Sequence, residues 1–320
     1  MITFGPVPSR RLGRSLGVNN IPPKSCSYAC VYCQLGRTQT MTVDRSSFYG
    51  TDQLVRAVVE AVTRAADAGE PIDYITFVPD GEPTLDRDLG ETILQLSTLG
   101  IPIAVITNAS LLWRPRVQSA LMAADWVSVK VDAVAEGVWR QLDRPYKSLK
   151  LPLILDGILQ FADHFDGTLV TETMLIRDVN ESRDHVQSIA HFLKRADPDV
   201  VYLSVPTRPP AEGWVEPPDE DRLNRAYQIV KEHVPDVELL TGYEGNAFSL
   251  TGDVREDLLS ITAVHPMRRD AVEDLLRRAG VSWSVVDGLI AADLLAATTY
   301  DGHAYYTRRL QRLSKDGSAV

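Results

Sequence analysis

The chain has 320 residues, which is enough for one large domain of about 250 residues and a smaller one. No apolar run approaches the roughly 20 residues of a membrane span, and the first residues lack the apolar core of a signal peptide, so we expect a cytoplasmic protein. The formal net charge of -10 disfavours a uniformly basic surface of the kind that coats nucleic acid.

Basic side chains are nevertheless concentrated near the N-terminus. Residues 1–50 contain one acidic side chain, Asp44, and six basic ones, which are Arg10, Arg11, Arg14, Lys24, Arg37 and Arg45. Two interpretations remain open. These cations either cap helices and pair with carboxylates of the protein, or they meet an anionic ligand or substrate.

All three cysteines lie in one short stretch, as Cys26, Cys30 and Cys33 in the spacing C-x3-C-x2-C. A closed zinc site needs four protein ligands, and the first histidine of the chain is the distant His164. An iron-sulfur cubane can be held by three thiolates, which leaves one iron open to bind something else. An odd, clustered set of cysteines also argues against a secreted disulfide framework. We therefore predict a three-ligand cluster rather than incidental thiols.

The cysteine stretch, with Tyr32 before its last cysteine, resembles the cluster loop of the radical S-adenosylmethionine (SAM) superfamily. Residues 5–18 and 21–24 resemble a narrower group of Fe-S oxidoreductases related to the tRNA wyosine-base (4-demethylwyosine) synthases. The resemblance implies a [4Fe-4S] cluster that a flavodoxin or ferredoxin reduces and that binds SAM at its open iron. It further implies cleavage of SAM to a 5′-deoxyadenosyl radical, which takes hydrogen from a substrate.

Short apolar runs alternate with amphipathic stretches along most of the chain. The apolar runs predict strands at residues 15–21, 74–79, 103–107, 126–132, 169–175, 200–205 and 237–240. The amphipathic stretches predict helices at residues 52–68, 88–99, 183–195 and 221–233. This alternation is typical of parallel βα units in an α/β fold. About six such units form an open barrel, and the resemblance implies the same partial (β/α)6 barrel.

Active sites of such barrels gather at the C-terminal ends of the strands, where this chain has several polar residues. Asp80-Gly81-Glu82 follows the second predicted strand and resembles the superfamily's element that receives the methionine ammonium of SAM, with Glu82 as the expected side chain. A plain turn is the alternative. Thr107 and Asn108 end the third strand, where they can face a cofactor or, in the case of Asn108, cap a helix.

The later strands add a second group of polar candidates. In residues 126–132, alternation places Ser128, Lys130 and Asp132 on one face and three valines on the other, so the polar face should line the lumen. The polar residues either serve a ligand or pair among themselves. The resemblance favours SAM or substrate contacts, with Ser128 near the ribose. Glu172 on the fifth strand can be a lumen acid, a SAM ligand or an exposed strand residue, and we expect the first. Ser204 ends the sixth strand, where the resemblance implies that backbone groups face the adenine of SAM.

The C-terminal part changes character. Residues 257–263, 270–279 and 283–295 predict three helices, and residues 297–307 predict a β-hairpin around an Asp-Gly turn. This pattern resembles a winged helix-turn-helix, so we predict a barrel domain at residues 1–245 and a winged-helix-like domain at residues 246–320. The tail is neutral overall, which makes DNA an unlikely ligand. We expect the lone His265 and His303 to be surface residues.

The predicted function is that of a radical SAM enzyme. Cys26, Cys30 and Cys33 would hold the cluster, Tyr32 and the polar strand ends would bind SAM, and Lys130, Asp132 and Glu172 would act in catalysis. The narrow resemblance points to a base in RNA, with tRNA as the first candidate, although the chain has no further cysteines for a second cluster. Modification of a peptide or protein, and a non-catalytic Fe-S regulator that binds DNA, remain as alternatives.

Overall fold

The computed structural model of the chain describes residues 2–242, 248, 250 and 252–309. Within these residues the chain forms thirteen strands and ten α-helices. The strands are β1 (Thr3–Ser9), β2 (Gly13–Val18), β3 (Ser25–Cys26), β4 (Thr40–Met41), β5 (Tyr74–Phe77), β6 (Ile103–Thr107), β7 (Trp126–Lys130), β8 (Thr168–Met174), β9 (Val200–Ser204), β10 (Val237–Leu240), β11 (Met267–Arg268), β12 (Leu295–Tyr300) and β13 (His303–Arg308). The helices are α1 (Thr51–Asp67), α2 (Leu89–Leu96), α3 (Pro115–Leu121), α4 (Glu136–Leu142), α5 (Leu151–Ala162), α6 (Arg183–Ala196), α7 (Glu220–Lys231), α8 (Val254–Val264), α9 (Arg269–Ala279) and α10 (Ser284–Ala291).

The main sheet has the strand order β1-β2-β5-β6-β7-β8-β9-β10. The strands β2 and β5 to β10 pair in parallel, and β1 is antiparallel to β2 at one edge. Helices connect most of the successive parallel strands, as right-handed βα units require. The predicted α/β architecture with parallel strands is thus confirmed. The four predicted helices are present as α1, α2, α6 and α7, with ends within a few residues of the predicted ones.

The two faces of the sheet pack differently. Helices α1, α2, α3, α5, α6 and α7 bury apolar side chains in one continuous core, which includes Val127 and Val129 of β7. On the opposite face, Trp126, Val170 and Tyr202 form a smaller cluster with Leu12 and Ala104. Alternation places Ser128 and Lys130 on this second face, which we call the inner face.

Strand β1 is absent from the sequence-based prediction. Gly5, Pro6 and Pro8 weaken its strand pattern, and the register shifts between Phe4 and Val7. Proline is tolerated here because an edge strand has one row of backbone groups without strand partners. Packing against residues far along the chain, rather than local preference, therefore stabilises this strand.

The described C-terminal residues contain the three predicted helices, as α8 to α10, and the predicted hairpin, as β12 and β13. Their strands form a separate antiparallel sheet in the order β11-β13-β12. Asp301 and Gly302 both have positive φ angles, 47° and 72°, as a two-residue hairpin turn requires. Helix α10 ends at Ala291, earlier than predicted, because Leu295 already begins β12. We call residues 254–308 the C-terminal unit.

A second hydrophobic core joins the C-terminal unit to the edge of the main sheet. Phe4 and Val7 of β1 pack with apolar side chains of α8, α9, α10 and the hairpin. The predicted domain boundary at residues 245 and 246 lies outside the described residues, as does the end of the predicted tail at residues 310–320.

The expectation that His265 lies at the surface is wrong. Its side chain is buried, with 7% exposure, and its ring contacts Phe248 edge-on at 5.1 Å between centroids. Arg208 donates a hydrogen bond to its Nε2 over 3.0 Å. His303 is exposed, as expected.

Among the helices in the described part of the chain, none has the length and apolar composition that crossing a bilayer requires.

Candidate active site

The cysteine stretch forms a loop that is hydrogen-bonded to the C-terminal end of β5. The Lys24 amide donates to the Asp80 carbonyl over 2.7 Å, and the Glu82 amide donates to the Ser25 carbonyl over 3.1 Å. Gly81 lies so close to the loop that a Cβ atom there would be 1.9 Å from the Ser25 carbonyl oxygen. Glycine at this position is therefore explained by close backbone approach.

The three cysteines are free and partly exposed. The Asn108 amide lies 3.5 Å from Cys26 Sγ, and Cys30 Sγ lies 3.4 Å from Asp143 Oδ1. Burial raises the pKa of all three thiols, and nearby acidic groups raise those of Cys26 and Cys30 further. A metal cation is the partner that would stabilise thiolates in such surroundings.

This donor set fits an iron-sulfur cluster. Among the described residues, no three His, Cys, Asp or Glu side chains converge on a position for a single metal ion. A cubane offers a separate iron to each thiolate, so its ligands need not converge on one point. Three adjacent cysteines on one loop thus suit a cubane with one iron left for another ligand.

Glu82 ties the ends of β5 and β6 together. It is 1% exposed, and its Oε1 accepts hydrogen bonds from the Thr84 amide over 3.0 Å and from the Thr84 and Thr107 hydroxyls over 2.6 Å each. Its Oε2 accepts from the Asn108 amide over 2.8 Å. Burial raises the pKa of Glu82 despite these hydrogen bonds. The predicted group Gly81, Glu82, Thr107 and Asn108 is therefore one connected structure.

Asp80 is not connected to Glu82 through these bonds. Its carboxylate forms an ion pair with Lys24 over 3.0 Å, and both side chains are largely buried. The other N-terminal cations also have partners within the protein. Arg37 pairs with Glu212, Arg14 with Glu70, and Arg45 donates to the carbonyls of Thr84 and Asp86. Each of these cations therefore has a partner within the protein, as the pairing interpretation expects.

A buried ion-pair cluster lies on the inner face of β7, β8 and β9. Lys130 Nζ is 3.0 Å from Glu172 Oε1 and 4.0 Å from Asp132 Oδ1. Ser204 donates to Glu172 Oε1 over 3.1 Å, and Arg11 lies 2.5 Å from Glu172 Oε2. Burial alone would raise the pKa of Glu172, but Lys130 and Arg11 hold it well below its usual range.

Lys130 remains a cation in this cluster. Burial would lower its pKa, but Asp132 and Glu172 raise it above the ordinary lysine value. The alternation argument for β7 therefore holds, and the pairing alternative correctly describes Lys130. Its principal partner is Glu172 on the neighbouring strand, since the register places these two residues opposite each other.

Tyr32 connects the cysteine loop to this cluster. Its hydroxyl donates a short hydrogen bond to Asp132 and lies 3.4 Å from Asp143. Lys130 Nζ lies 4.9 Å from the centre of the Tyr32 ring, within cation-π range. The structure thus brings Tyr32, Lys130, Asp132, Glu172 and Ser204 together.

Ser128 is fully buried beneath Lys130, and its hydroxyl has no hydrogen-bond partner among the described residues. An orphaned hydroxyl is uncommon in a buried position. The inner face therefore carries a buried hydroxyl that no described side chain satisfies.

Two further residues shape the site: Arg11, which sequence reasoning named only as one of the N-terminal cations, and Asp143, which it did not identify. Arg11 crosses the inner face between Trp126 and Tyr202, with its guanidinium carbon 5.9 Å and 5.7 Å from their ring centres. Asp143 lies beside Cys30 and is 3% exposed, and burial followed by repulsion from Asp132 raises its pKa. Arg11 lies in the stretch of residues 5–18 that carries the narrower resemblance, and Asp143 lies in no motif, but the contacts of both residues depend on the tertiary structure.

Comparison with known proteins agrees with this geometry. The Radical SAM superfamily model matches residues 20–193, which is more than half of the chain. UPF0026 protein MJ1312 of Methanocaldococcus jannaschii is 41% identical over 319 residues, which cover 99% of this chain and 99% of that protein.

Solved structures share the fold at low sequence identity. TYW1 with a lysine-pyruvate adduct has a TM-score of 0.51 and 16% identity, over 69% of this chain and 74% of that chain. Streptococcus suis SuiB bound to S-adenosylmethionine has a TM-score of 0.52 and 13% identity, over 70% of this chain and 49% of that chain. With a three-cysteine loop over the ends of a parallel sheet and a matching family model, this chain belongs to the radical SAM superfamily.

Proposed function

We propose that the protein binds a [4Fe-4S] cluster and SAM, and that it uses them to abstract hydrogen from a base in RNA, with tRNA as the first candidate. Superfamily membership supports SAM cleavage chemistry. The observation that carries the proposal is the loop of Cys26, Cys30 and Cys33 above the strand ends, directly beside a buried ion-pair cluster.

When bound, the cluster and SAM supply reductive cleavage to a 5′-deoxyadenosyl radical. The chain's own residues would position the reactants. Cys26, Cys30 and Cys33 would hold the cluster, and Tyr32 would fix the loop against Asp132. Lys130 and Glu172 form an ion pair and would orient a ligand on the inner face while both side chains remain charged.

Glu82 is the group that we propose for the ammonium of SAM. It is a buried carboxylate, and the described residues provide hydrogen-bond donors to it but no basic side chain. Its Oε2 accepts one hydrogen bond and so retains capacity for a second. An arriving ammonium would supply the missing positive charge.

We propose that substrate approaches through a cleft between the cysteine loop and the C-terminal unit, which we regard as winged-helix-like. The cleft has a volume of about 460 Å³. Its lining includes Lys24, Gln34 and Gln39 from the loop side, and Thr298 and Arg308 from the hairpin. Asp80 also lines the cleft and pairs with Lys24, so the amide and hydroxyl groups and Arg308 are the ones that suit a polar substrate with phosphate groups.

Modification of a peptide is the second candidate, and one observation favours it. Strand β12 lies at the edge of the small sheet, and its central residues are exposed. An extended peptide could add to this edge as a further strand. DNA binding is less favoured because Arg268, Arg269, Arg277, Arg278 and Arg309 each pair with an acidic side chain.

The first test is SAM cleavage by protein reconstituted with iron and sulfide without oxygen. With dithionite as reductant, we expect equal amounts of 5′-deoxyadenosine and methionine, measured by liquid chromatography. Cys30→Ala should abolish both the cluster absorbance and turnover, whereas Gln53→Ala, at an exposed position on α1, should retain both. Turnover by the Cys30 variant would contradict the proposal. The RNA and peptide hypotheses are then distinguished by mass spectrometry of nucleosides and peptides from a deletion strain, which should lack the modification that the protein makes.

A further inference from the structure

The segment that follows α4 runs alongside the cysteine loop. The Ala29 amide donates to the Asp143 carbonyl over 3.0 Å, and the Val31 amide donates to the Leu142 carbonyl over 2.9 Å. The Tyr146 amide donates back to the Ser27 carbonyl over 2.8 Å. These bonds hold residues 142–146 beside Cys30, on the edge of the loop formed by residues 27–31.

This segment is basic and exposed. Residues 140–150 contain four basic side chains and one acidic side chain, the buried Asp143, in a chain with a net charge of -10. The Arg144 side chain is 46% exposed, and Lys147 and Lys150 are also exposed. The surface next to the predicted cluster therefore differs in sign from the molecule as a whole.

A cleft of about 330 Å³ leads from this surface to Cys30. Arg37, Arg144 and Glu212 line it, and both arginines pair with Glu212, at 3.1 Å and 2.7 Å. One carboxylate shared by two guanidinium groups leaves a net positive charge. Trp214, two residues beyond Glu212, is 48% exposed. Exposed arginine and tryptophan are the side chains that most often dominate protein interfaces.

We propose that Arg37, Arg144, Lys147 and Trp214 form the docking surface for an acidic protein that donates single electrons to the cluster, such as a flavodoxin. The inference rests on the proposed function. Electron transfer weakens steeply with distance, so a donor must dock where a cluster ligand can be reached from the surface, and Cys30 lines this cleft. The basic side chains would attract an acidic donor against the overall negative charge of the molecule. One electron leaves the reduced donor and one enters the cluster, and no covalent bond changes.

The test compares a protein donor with a small reductant, using the double variant Arg144→Gln/Lys147→Gln. Arg37 is left unchanged because it also faces the larger cleft. We expect the rate of cluster reduction by reduced flavodoxin at low salt to fall about tenfold or more, measured by stopped-flow absorbance. Binding of oxidised flavodoxin, measured by calorimetry, should weaken in parallel, and added salt should reduce the difference between variant and wild type. Dithionite-driven SAM cleavage should stay within about twofold of wild type, because dithionite needs no docking surface.

Arg269→Gln is the matched control, since Arg269 is 58% exposed and pairs with a glutamate but lies on α9 of the C-terminal unit. It should leave reduction by flavodoxin unchanged. The proposal is overturned if flavodoxin reduces the double variant as fast as it reduces wild type. It is overturned as well if dithionite-driven turnover falls as much as reduction by flavodoxin does, because these residues would then stabilise the cysteine loop. It is also overturned if the double variant loses RNA binding but keeps reduction by flavodoxin. If flavodoxin reduces the cluster of the wild-type protein but SAM is not cleaved, the proposed function is wrong. The proposed docking surface is then still supported.

Discussion

Two buried glutamates of the candidate active site have opposite surroundings. Glu172 lies between two cations, Lys130 and Arg11, and remains ionised. Glu82 has hydrogen-bond donors only, among the described residues, and burial raises its pKa. Two carboxylates of the same type can thus serve different purposes, one as a fixed charge and one as a receptor for a cationic ligand.

Glu82→Ala should affect stability as well as ligand binding. The substitution leaves the Thr84 and Asn108 amides and the Thr107 hydroxyl without their buried acceptor. We expect the free energy of unfolding in urea to fall by about 1–3 kcal/mol, together with weaker SAM binding. Glu91→Ala, at an exposed position on α2, is the control. An unchanged free energy of unfolding in the Glu82 variant would show that this hydrogen-bond network does not contribute to stability.

Sequence patterns predicted the strands and the faces on which their residues lie, but they did not predict which side chains those residues contact. Alternation along residues 126–132 correctly placed Lys130 on the inner face, because the two-residue period of a strand is a local property. The partner Arg11 lies 161 residues from Glu172 in the chain, and nothing in its own neighbourhood predicts that contact. The same limit explains His265, whose burial depends on Arg208 and Phe248.

At the level of elements, β1 links the main sheet to the C-terminal unit. Phe4 is 5% exposed, lies in the second hydrophobic core, and packs so closely on Gly17 of β2 that a Cβ atom there would be 2.0 Å from its ring. A strand that prolines and glycine disfavour locally is therefore stabilised through side chains of α8 and α9. Local propensity could not reveal it, because its stability is supplied by distant residues.

Phe4→Ala should destabilise both sides of this contact. Removing a buried phenylalanine from a core typically lowers the free energy of unfolding by about 3–5 kcal/mol. Limited proteolysis should then cut the C-terminal unit faster than in wild type. Leu94→Ala, at a leucine that is 62% exposed, should change neither quantity appreciably. Equal protease resistance of the Phe4 variant and wild type would mean that β1 does not secure the unit.

Across the whole molecule, Arg208 connects three regions. It follows the end of β9, donates to Gln34 Oε1 over 2.7 Å, and donates to His265 Nε2 over 3.0 Å. Gln34 is the residue after Cys33, so the bonds lead from the C-terminal unit to the cysteine loop. Arginine has no acceptor, so His265 must be neutral to accept this bond, and burial followed by Arg208 lowers its pKa well below the ordinary value.

This arrangement predicts a pH dependence of stability. Below a pH of about 6.5 the unfolded chain binds a proton at His265 that the folded protein does not, so stability should fall as pH decreases. His265→Gln keeps an acceptor but cannot titrate, and should reduce this slope by up to about 1.4 kcal/mol per pH unit. His303→Gln, at an exposed position, should leave the slope unchanged. An identical slope in wild type and the His265 variant, from urea unfolding at pH 5 to 7, would contradict the assignment.

The stacked position of Arg11 between two aromatic rings has a kinetic consequence. Arg11 lies with Leu12 and Trp126 on the inner face, and Trp126 begins β7, whereas the cysteine loop is bonded to the C-terminal end of β5. If the proposed function is correct, we therefore expect SAM to enter and leave on the cysteine side. A large substrate seated over that side would trap the small molecules beneath it. If the proposed function is correct, SAM should bind before the macromolecular substrate, and methionine and 5′-deoxyadenosine should leave after it.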